Sequence, residues 1–561
     1  MHAPTLKALT GGLSLLFTII NAQSNSPAGN SSLPTVDLGY EVYQASSFNQ
    51  TGGFYNFSNI RYAAPPLGNL RFAAPQSPAV NRTHIQTGAV GRICPQISPG
   101  WESIATEYLT DLLYGATFNA SQTPRINASN IPPIDPRTTE DCLFLDVYVP
   151  QQILESAGMG YGAPVLVWIF GGGYTAGDKA AFNPAGLLAA SGNVSNGEVV
   201  YVAINYRLGA FGFLSGPTMQ ADGGVANAAF LDQRMALEWV QDNIHLFGGD
   251  RNKVTVFGES AGGGSIMHQI TAYGGSQGPA PFQQAILQSP GWLPTTSNYV
   301  QEQTFNRFLN LTNTTSLAEL RNAPSDVLIK ANALQVFLDA SYGTFIYGPV
   351  VDGDFAPALP GQLLAQGRFD KSVRVMVGHN ANEGAFFADP YVQNETAYED
   401  YIRTDFPSIS EDVLAYMTQT LYPPVFDGTY GYTSHFERIA LATAEGIFTC
   451  NTFYLDRAFG NKTYAYLFAV PPAFHSFDVA YTFYIGDGPS AFLPNTTVAV
   501  ALQDYITSFA KFGRPSAKGM RMFNLYGPDA AILDLNQTSI TQIMDPTANG
   551  RCDWWQKALY F

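Results

Sequence analysis

Short apolar runs, each broken off by glycine or polar residues, set the pattern of this chain. Val165, Leu166, Val167, Trp168, Ile169 and Phe170 follow one another without a polar residue, as in a parallel strand buried on both faces. The runs 254–257, 373–377 and 463–468 are short and rich in β-branched or aromatic side chains, which predicts three more strands. Helical spacing takes over elsewhere. Between 232 and 240 it puts Met235, Trp239 and Val240 on roughly one face, expected to enter the core. Between 101 and 113 it collects Trp101, Ile104, Ala105, Tyr108, Leu112 and Leu113, with Glu102, Glu107 and Asp111 opposite, which predicts an amphipathic helix. An open α/β sheet gathers its chemistry beyond the carboxyl ends of its strands, so the residues after each run matter most.

The run 254–257 leads straight into Gly258, Glu259, Ser260, Ala261 and Gly262. Glycines on both sides of Ser260 let the backbone turn sharply from strand to helix, holding the serine strained and exposed with amides aimed behind it. Five residues with three fixed recur by chance, so the elbow carries weight only with partners: a base, an acid that orients it, and donors for an oxyanion. In hydrolases built on such an elbow the chain order is serine, acid, histidine. Of seven histidines, His379, His435 and His475 are the downstream candidates. His379 leaves little room for an acid before it and reads as structural. His435 lies in a Tyr/Gly/Thr/Ser stretch with no strand behind it. His475 follows the run 463–468 across one short loop and is the candidate base.

The loop after Val375, Met376 and Val377 holds one carboxylate, Glu383. A lone loop glutamate is ordinarily a solvated charge, but a strand end between the elbow and His475 makes this one the candidate acid. The run 165–170 ends in Gly171, Gly172 and Gly173, whose amides approach a substrate closely because no side chain intervenes.

Further motifs carry a family resemblance. They are Arg61 to Pro66, Gly68 to Phe72, Glu140 to Val147, Asn205 to Gly209 and Phe247 to Asp250, besides the elbow. Together they resemble the type-B carboxylesterase/lipase family, the α/β-hydrolase group of fungal lipases, carboxylesterases and cholinesterases. The resemblance implies an α/β-hydrolase fold: a large, mixed, mostly parallel sheet with helices on both faces. It implies Ser260 as nucleophile, Glu383 as acid and His475 as base, with oxyanion amides from Gly172, Gly173 and Ala261. It also implies ion pairs between Arg71 and Glu140 and between Arg207 and Asp232, which would pin the scaffold. The expected reaction is ester hydrolysis through an acyl-enzyme, with no metal and no cofactor.

The net charge of −16 and pI near 4.8 argue against a nucleic-acid partner and disfavour an anionic membrane surface. No obligate protein partner is implied. Residues 1–22 read as a signal peptide and 23–35 as a flexible mature start, leaving 36–561 as one catalytic domain. Thirteen Asn-x-Ser/Thr sequons, from Asn30 to Asn536, support a secreted, extracellular protein. Four cysteines allow three pairings, and the resemblance favours Cys94 with Cys142 and Cys450 with Cys552.

Substrate choice is less sharply marked. The loop between Cys94 and Cys142 would carry the helix at 101–113, either as a lid within 95–141 that swings off at a lipid interface or as a helix docked permanently. Cholinesterases place a tryptophan ten residues before the second-signature cysteine; here that position is Pro132, which demotes choline esters. Phe170 stands where many esterases have histidine, a departure shared with some fungal lipases. Carboxylesterase is the favoured reading. A lipase on long-chain acylglycerols or sterol esters, with transient lipid contact, is the alternative; a non-catalytic adhesion relative is the remote one.

Overall fold

A computed structural model of the chain describes residues 33–560 apart from 117, 119–125, 161, 194–197, 294–296 and 488–492. The expected signal peptide and the sequons at Asn30 and Asn119 lie outside the described residues.

The core is an eleven-stranded sheet. In chain order its strands are β1 (Ser47–Asn49), β2 (Phe54–Arg61), β3 (Phe144–Pro150), β4 (Ala163–Ile169), β5 (Val200–Ile204), β6 (Gly249–Glu259), β7 (Gln284–Gln288), β8 (Arg374–Asn380), β9 (Tyr464–Ala469), β10 (Ala531–Asn536) and β11 (Ile540–Met544). Their order across the sheet is β11-β10-β9-β8-β7-β6-β4-β5-β3-β2-β1. The stretch from β10 to β5 is parallel throughout, and the strands outside it pair antiparallel. Central strands such as β5 and β7 are buried at every position, β5 as an unbroken apolar run and β7 with a glutamine at either end, whereas the edge strand β11 has no fully buried residue. On one side the helix Thr496–Phe512 packs on β4 and β6, with Ala185–Asn193 packed against that helix; another group, including Ala228–Asn243 and the helix after the elbow, packs on β6, β7 and β4.

Register decides where the chemistry collects. Ile169 pairs with Gly258, Glu259 with Gln288, and Gln288 with Gly378, so the carboxyl ends of β4, β6, β7 and β8 come level. The residues leaving them, Phe170, Ser260, Ser289 and Ala381, therefore emerge along one edge.

Several expectations are adjusted. The strand expected at 373–377 is β8, which runs on to Asn380 and takes His379 into the sheet. The flexible start expected through Thr35 is tied at its end: Thr35–Asp37 pairs with Val42–Gln44, and Pro34 accepts from the Ala45 amide. The amphipathic helix is α1 (Trp101–Tyr114), but Leu112 is 50% exposed and Leu109 is buried instead. Leu109 meets Phe474 and Leu113 packs against that pair, while Leu112 lies outside the contact. Arg71 and Glu140 form a buried bidentate pair, as do Arg207 and Asp232. Cys94 is joined to Cys142 and Cys450 to Cys552. Among the described residues no helix is long and apolar enough to cross a membrane.

Candidate active site

Ser260 sits between β6 and α2 (Ala261–Thr271) with φ 57° and ψ −123°. That left-handed conformation is costly for a residue with a Cβ and persists only where its surroundings over-determine it. They do here. The Ser260 amide donates to the Gln288 carbonyl at 3.0 Å, and the Ser260 carbonyl accepts from Gly264 at 2.8 Å and Gly291 at 3.0 Å. The helix can leave this steeply only because position 262 lacks a side chain: a Cβ there would lie 2.0 Å from the Ile169 carbonyl oxygen.

His475 arrives on the loop after β9, and that loop is stitched to the one carrying Glu383. The Asn382 amide donates to Ala473 O at 2.9 Å, and its side-chain amide donates to Pro472 O at 2.7 Å. A continuous hydrogen-bonded line results. Nδ1 of His475 bonds Glu383 Oε2, and Nε2 lies 2.8 Å from Ser260 Oγ. A nitrogen facing an ionised carboxylate must carry the proton, which leaves Nε2 as the acceptor for the serine hydroxyl.

Glu383 is fully buried, and its other oxygen accepts from Ser289 Oγ at 2.6 Å and from the Asn380 amide. Burial works against its charge, but the His475 ring and these donors outweigh it and hold the carboxyl below its ordinary value. Glu259 goes the other way. Its Oε1 accepts from Ser476 Oγ at 2.6 Å and lies 3.3 Å from His475 Nε2, and burial pushes its carboxyl up to about 8. Burial alone would depress His475; Glu259 and then Glu383 outweigh it and raise the imidazole above its ordinary value. The two carboxyl groups and the ring titrate as one set, with Glu383 remaining anionic and Glu259 more readily protonated.

The glycine loop closes over this line. Gly172 has φ 109°, which a side chain rarely adopts, and a Cβ there would lie 2.3 Å from Ala176 O. Among the described residues, no carbonyl accepts a hydrogen bond from the amides of Gly172, Gly173 or Ala261. Gly173 and Ala261 line a pocket with Ser260. The rest of the lining is largely apolar: Tyr174, Trp292, Phe345, Phe387, Ile447 and Phe448 are among it.

The other expected histidines stay out of the site. His379 is buried in β8 near Thr452 Oγ1, and His435 begins the helix His435–Ala444. Sequence reading missed Ser289, Asn380 and Ser476. Ser289 has one sequence signal: it directly follows a short strand with an apolar centre, Ala285 to Leu287, much as Ser260 closely follows the run 254–257. Nothing in the sequence marked the pocket aromatics, which come from well-separated segments.

The model of the carboxylesterase family matches residues 43–555. The chain belongs to the carboxylesterase family. Carboxylesterase patB of Penicillium expansum is 41% identical over 541 residues, covering 94% of this chain and 96% of that one. Lipase 1 of Geotrichum candidum is 31% identical over 517 residues, covering 84% of this chain and 86% of its own. Among solved structures, Aspergillus niger EstA superposes with a TM-score of 0.77 at 26% identity, over 94% of this chain and 98% of that one. This member of the carboxylesterase family thus has the α/β-hydrolase fold and is a carboxylic ester hydrolase.

Proposed function

We propose that the chain is a secreted carboxylesterase that works through an acyl-enzyme on Ser260. The observation that carries this reading is the unbroken line from Ser260 Oγ through His475 to buried Glu383, opening on an apolar pocket. His475 Nε2 takes the hydroxyl proton as Oγ attacks the ester carbonyl. Glu383 holds the ring in that tautomer and stabilises the imidazolium. The tetrahedral oxyanion is held by the amides of Gly172, Gly173 and Ala261, each such donor being worth roughly 10²–10³ in rate. The alcohol leaves with the proton from His475; water, deprotonated by the same nitrogen, then releases the acid.

The pocket and its cover favour a carboxylesterase over a lipase. Trp101 is buried, its Nε1 donates to Thr344 O at 2.8 Å, and Tyr342, Phe345, Phe386 and Phe387 surround its ring. Leu109 packs on Phe474, the neighbour of the proposed base. Helix α1 is thus a fixed flap rather than a lid. Export through a signal peptide at 1–22 is supported by two disulfides and by exposed sequons at Asn49, Asn127, Asn310, Asn313 and Asn394. One catalytic domain then extends to residue 561.

The test is hydrolysis of p-nitrophenyl esters from acetate to palmitate, with Ser260→Ala as blank. A peak at short chains is expected. A peak at long chains that rises once the ester forms an interface would favour a lipase with a mobile flap instead.

A further inference from the structure

Donors for an oxyanion work only if they are held still, and the loop that carries two of them has no regular structure. Between Ile169, the last residue of β4, and Ala185 there is neither strand nor helix. Within that loop the Gly172 carbonyl accepts from the amides of Thr175 and Ala176 at 3.1 and 3.0 Å, closing a tight turn. The sheet holds the entry to the turn. Its exit is Gly177, at φ 118°, packed so closely on the entry that a Cβ there would lie 2.7 Å from Gly171 O.

One side chain from outside the loop grips that exit. The Gly177 amide donates to Gln96 Oε1 at 2.8 Å, and the Gly177 carbonyl accepts from Gln96 Nε2 at 3.0 Å. Facing residues of an antiparallel ladder exchange such a pair of bonds; here a side-chain amide stands in for one of them. The pairing continues one step further, with the Ile97 amide donating to Thr175 O at 3.0 Å. Nε2 also donates to Cys94 O at 3.2 Å, so both N–H groups and the oxygen of the Gln96 amide are engaged.

Gln96 is itself mounted on a fixed base. Cys94, two positions before it, is bonded to Cys142, and Ile93 O accepts from the Thr139 amide at 3.0 Å. Four positions after it the Gly100 amide donates to Phe337 O at 3.1 Å, and α1 begins. The root of the flap and the brace of the glycine loop are therefore one segment.

We propose that Gln96 is a positioning residue for the oxyanion hole: its amide clamps Gly177 and so fixes the turn that presents the Gly172 and Gly173 amides. Without the clamp the turn shifts, while Ser260, His475 and Glu383 keep their own hydrogen bonds. This rests on the proposed ester hydrolysis at Ser260 and goes beyond it by tying the catalytic amides to the base of the flap.

The test uses Gln96→Met, which removes both clamp bonds, and Gln96→Glu, which keeps the shape but loses the donor to Gly177 O. Diethyl p-nitrophenyl phosphate, taken to its end point, counts competent sites by the p-nitrophenol that Ser260 displaces. Acylation and deacylation both pass through an oxyanion, so kcat on p-nitrophenyl acetate, per titrated site, should fall with KM little changed. The expected fall is at least about tenfold, part of the 10²–10³ that one lost donor costs. Trifluoroacetone adds to Ser260 Oγ and leaves its own oxygen as an oxyanion, so its inhibition constant should rise by a similar factor. Fewer titrated sites with kcat per site unchanged, in either variant, would reduce Gln96 to a scaffold residue and overturn the proposal. So would a fall in kcat with trifluoroacetone binding unchanged; both results leave ester hydrolysis standing. A wild-type protein that is neither titrated nor active on the acetate overturns the clamp and the ester reading together.

Discussion

The two walls of the active site are built on opposite principles. The wall behind His475 is polar and over-determined: Glu383 is fixed by His475, Ser289 and Asn380, and Glu259 by Ser476. The wall facing the substrate is aromatic and held by packing, with Phe387 and Phe448 lying 5.1 and 4.3 Å from the His475 ring centre. Hydrogen bonds fix atoms to tenths of an ångström, which proton transfer needs. Packing fixes a shape that a change of side chain can redraw. The first wall sets whether the reaction runs, the second which acyl group it runs on.

The sharpest way to break that division is on the polar wall. Ser260→Ala should cost roughly 10⁴–10⁶ in kcat, read as steady-state ester hydrolysis, with the fold unchanged by circular dichroism. Ser289→Ala removes one donor from a buried carboxylate, a bond of about 1.5–3 kcal/mol. It should lower kcat roughly ten- to a hundredfold, with little change in the ratio between acetate and octanoate. A changed ratio there would blur the two walls into one.

Glu259→Gln should act on pH dependence. In the fraction of molecules where Glu259 is ionised it stabilises the imidazolium, and only the neutral ring accepts the serine proton. The wild-type acid limb of kcat/KM is therefore expected above the ordinary imidazole value, and the uncharged amide should move it to lower pH. A limb that stays in place would remove Glu259 from the titrating set. The smallest effect on turnover belongs to the aromatic wall: Trp101→Phe exchanges the indole for a smaller phenyl ring and loses its bond to Thr344 O, so about 1–3 kcal/mol of stability should go, read in thermal denaturation. Turnover on acetate that rose with it would mean that α1 moves during the reaction.

The same division governs what the sequence disclosed. Ser260, Glu383 and His475 each follow an apolar strand, and few residue types serve their chemistry, so position and type together singled them out; the structure brings all three within hydrogen-bonding reach. The strand Ala163–Ile169 was readable because burial on both faces leaves a run without polar breaks. Trp292, Phe345 and Phe448 were not, because an aromatic residue suits any core and only tertiary packing gathers these three around one serine. Leu112 shows the limit of periodicity: helical spacing puts it on the apolar face, but nothing in the spacing says where the surface beneath the helix ends.

The central claim is that an acyl group passes through Ser260. Acid quenching of the protein during turnover of p-nitrophenyl acetate, followed by peptide mapping, tests it directly. One acetyl group on the peptide containing Ser260, absent from Ser260→Ala, is the predicted result; acetyl on another residue, or turnover with that peptide unmodified, would contradict it.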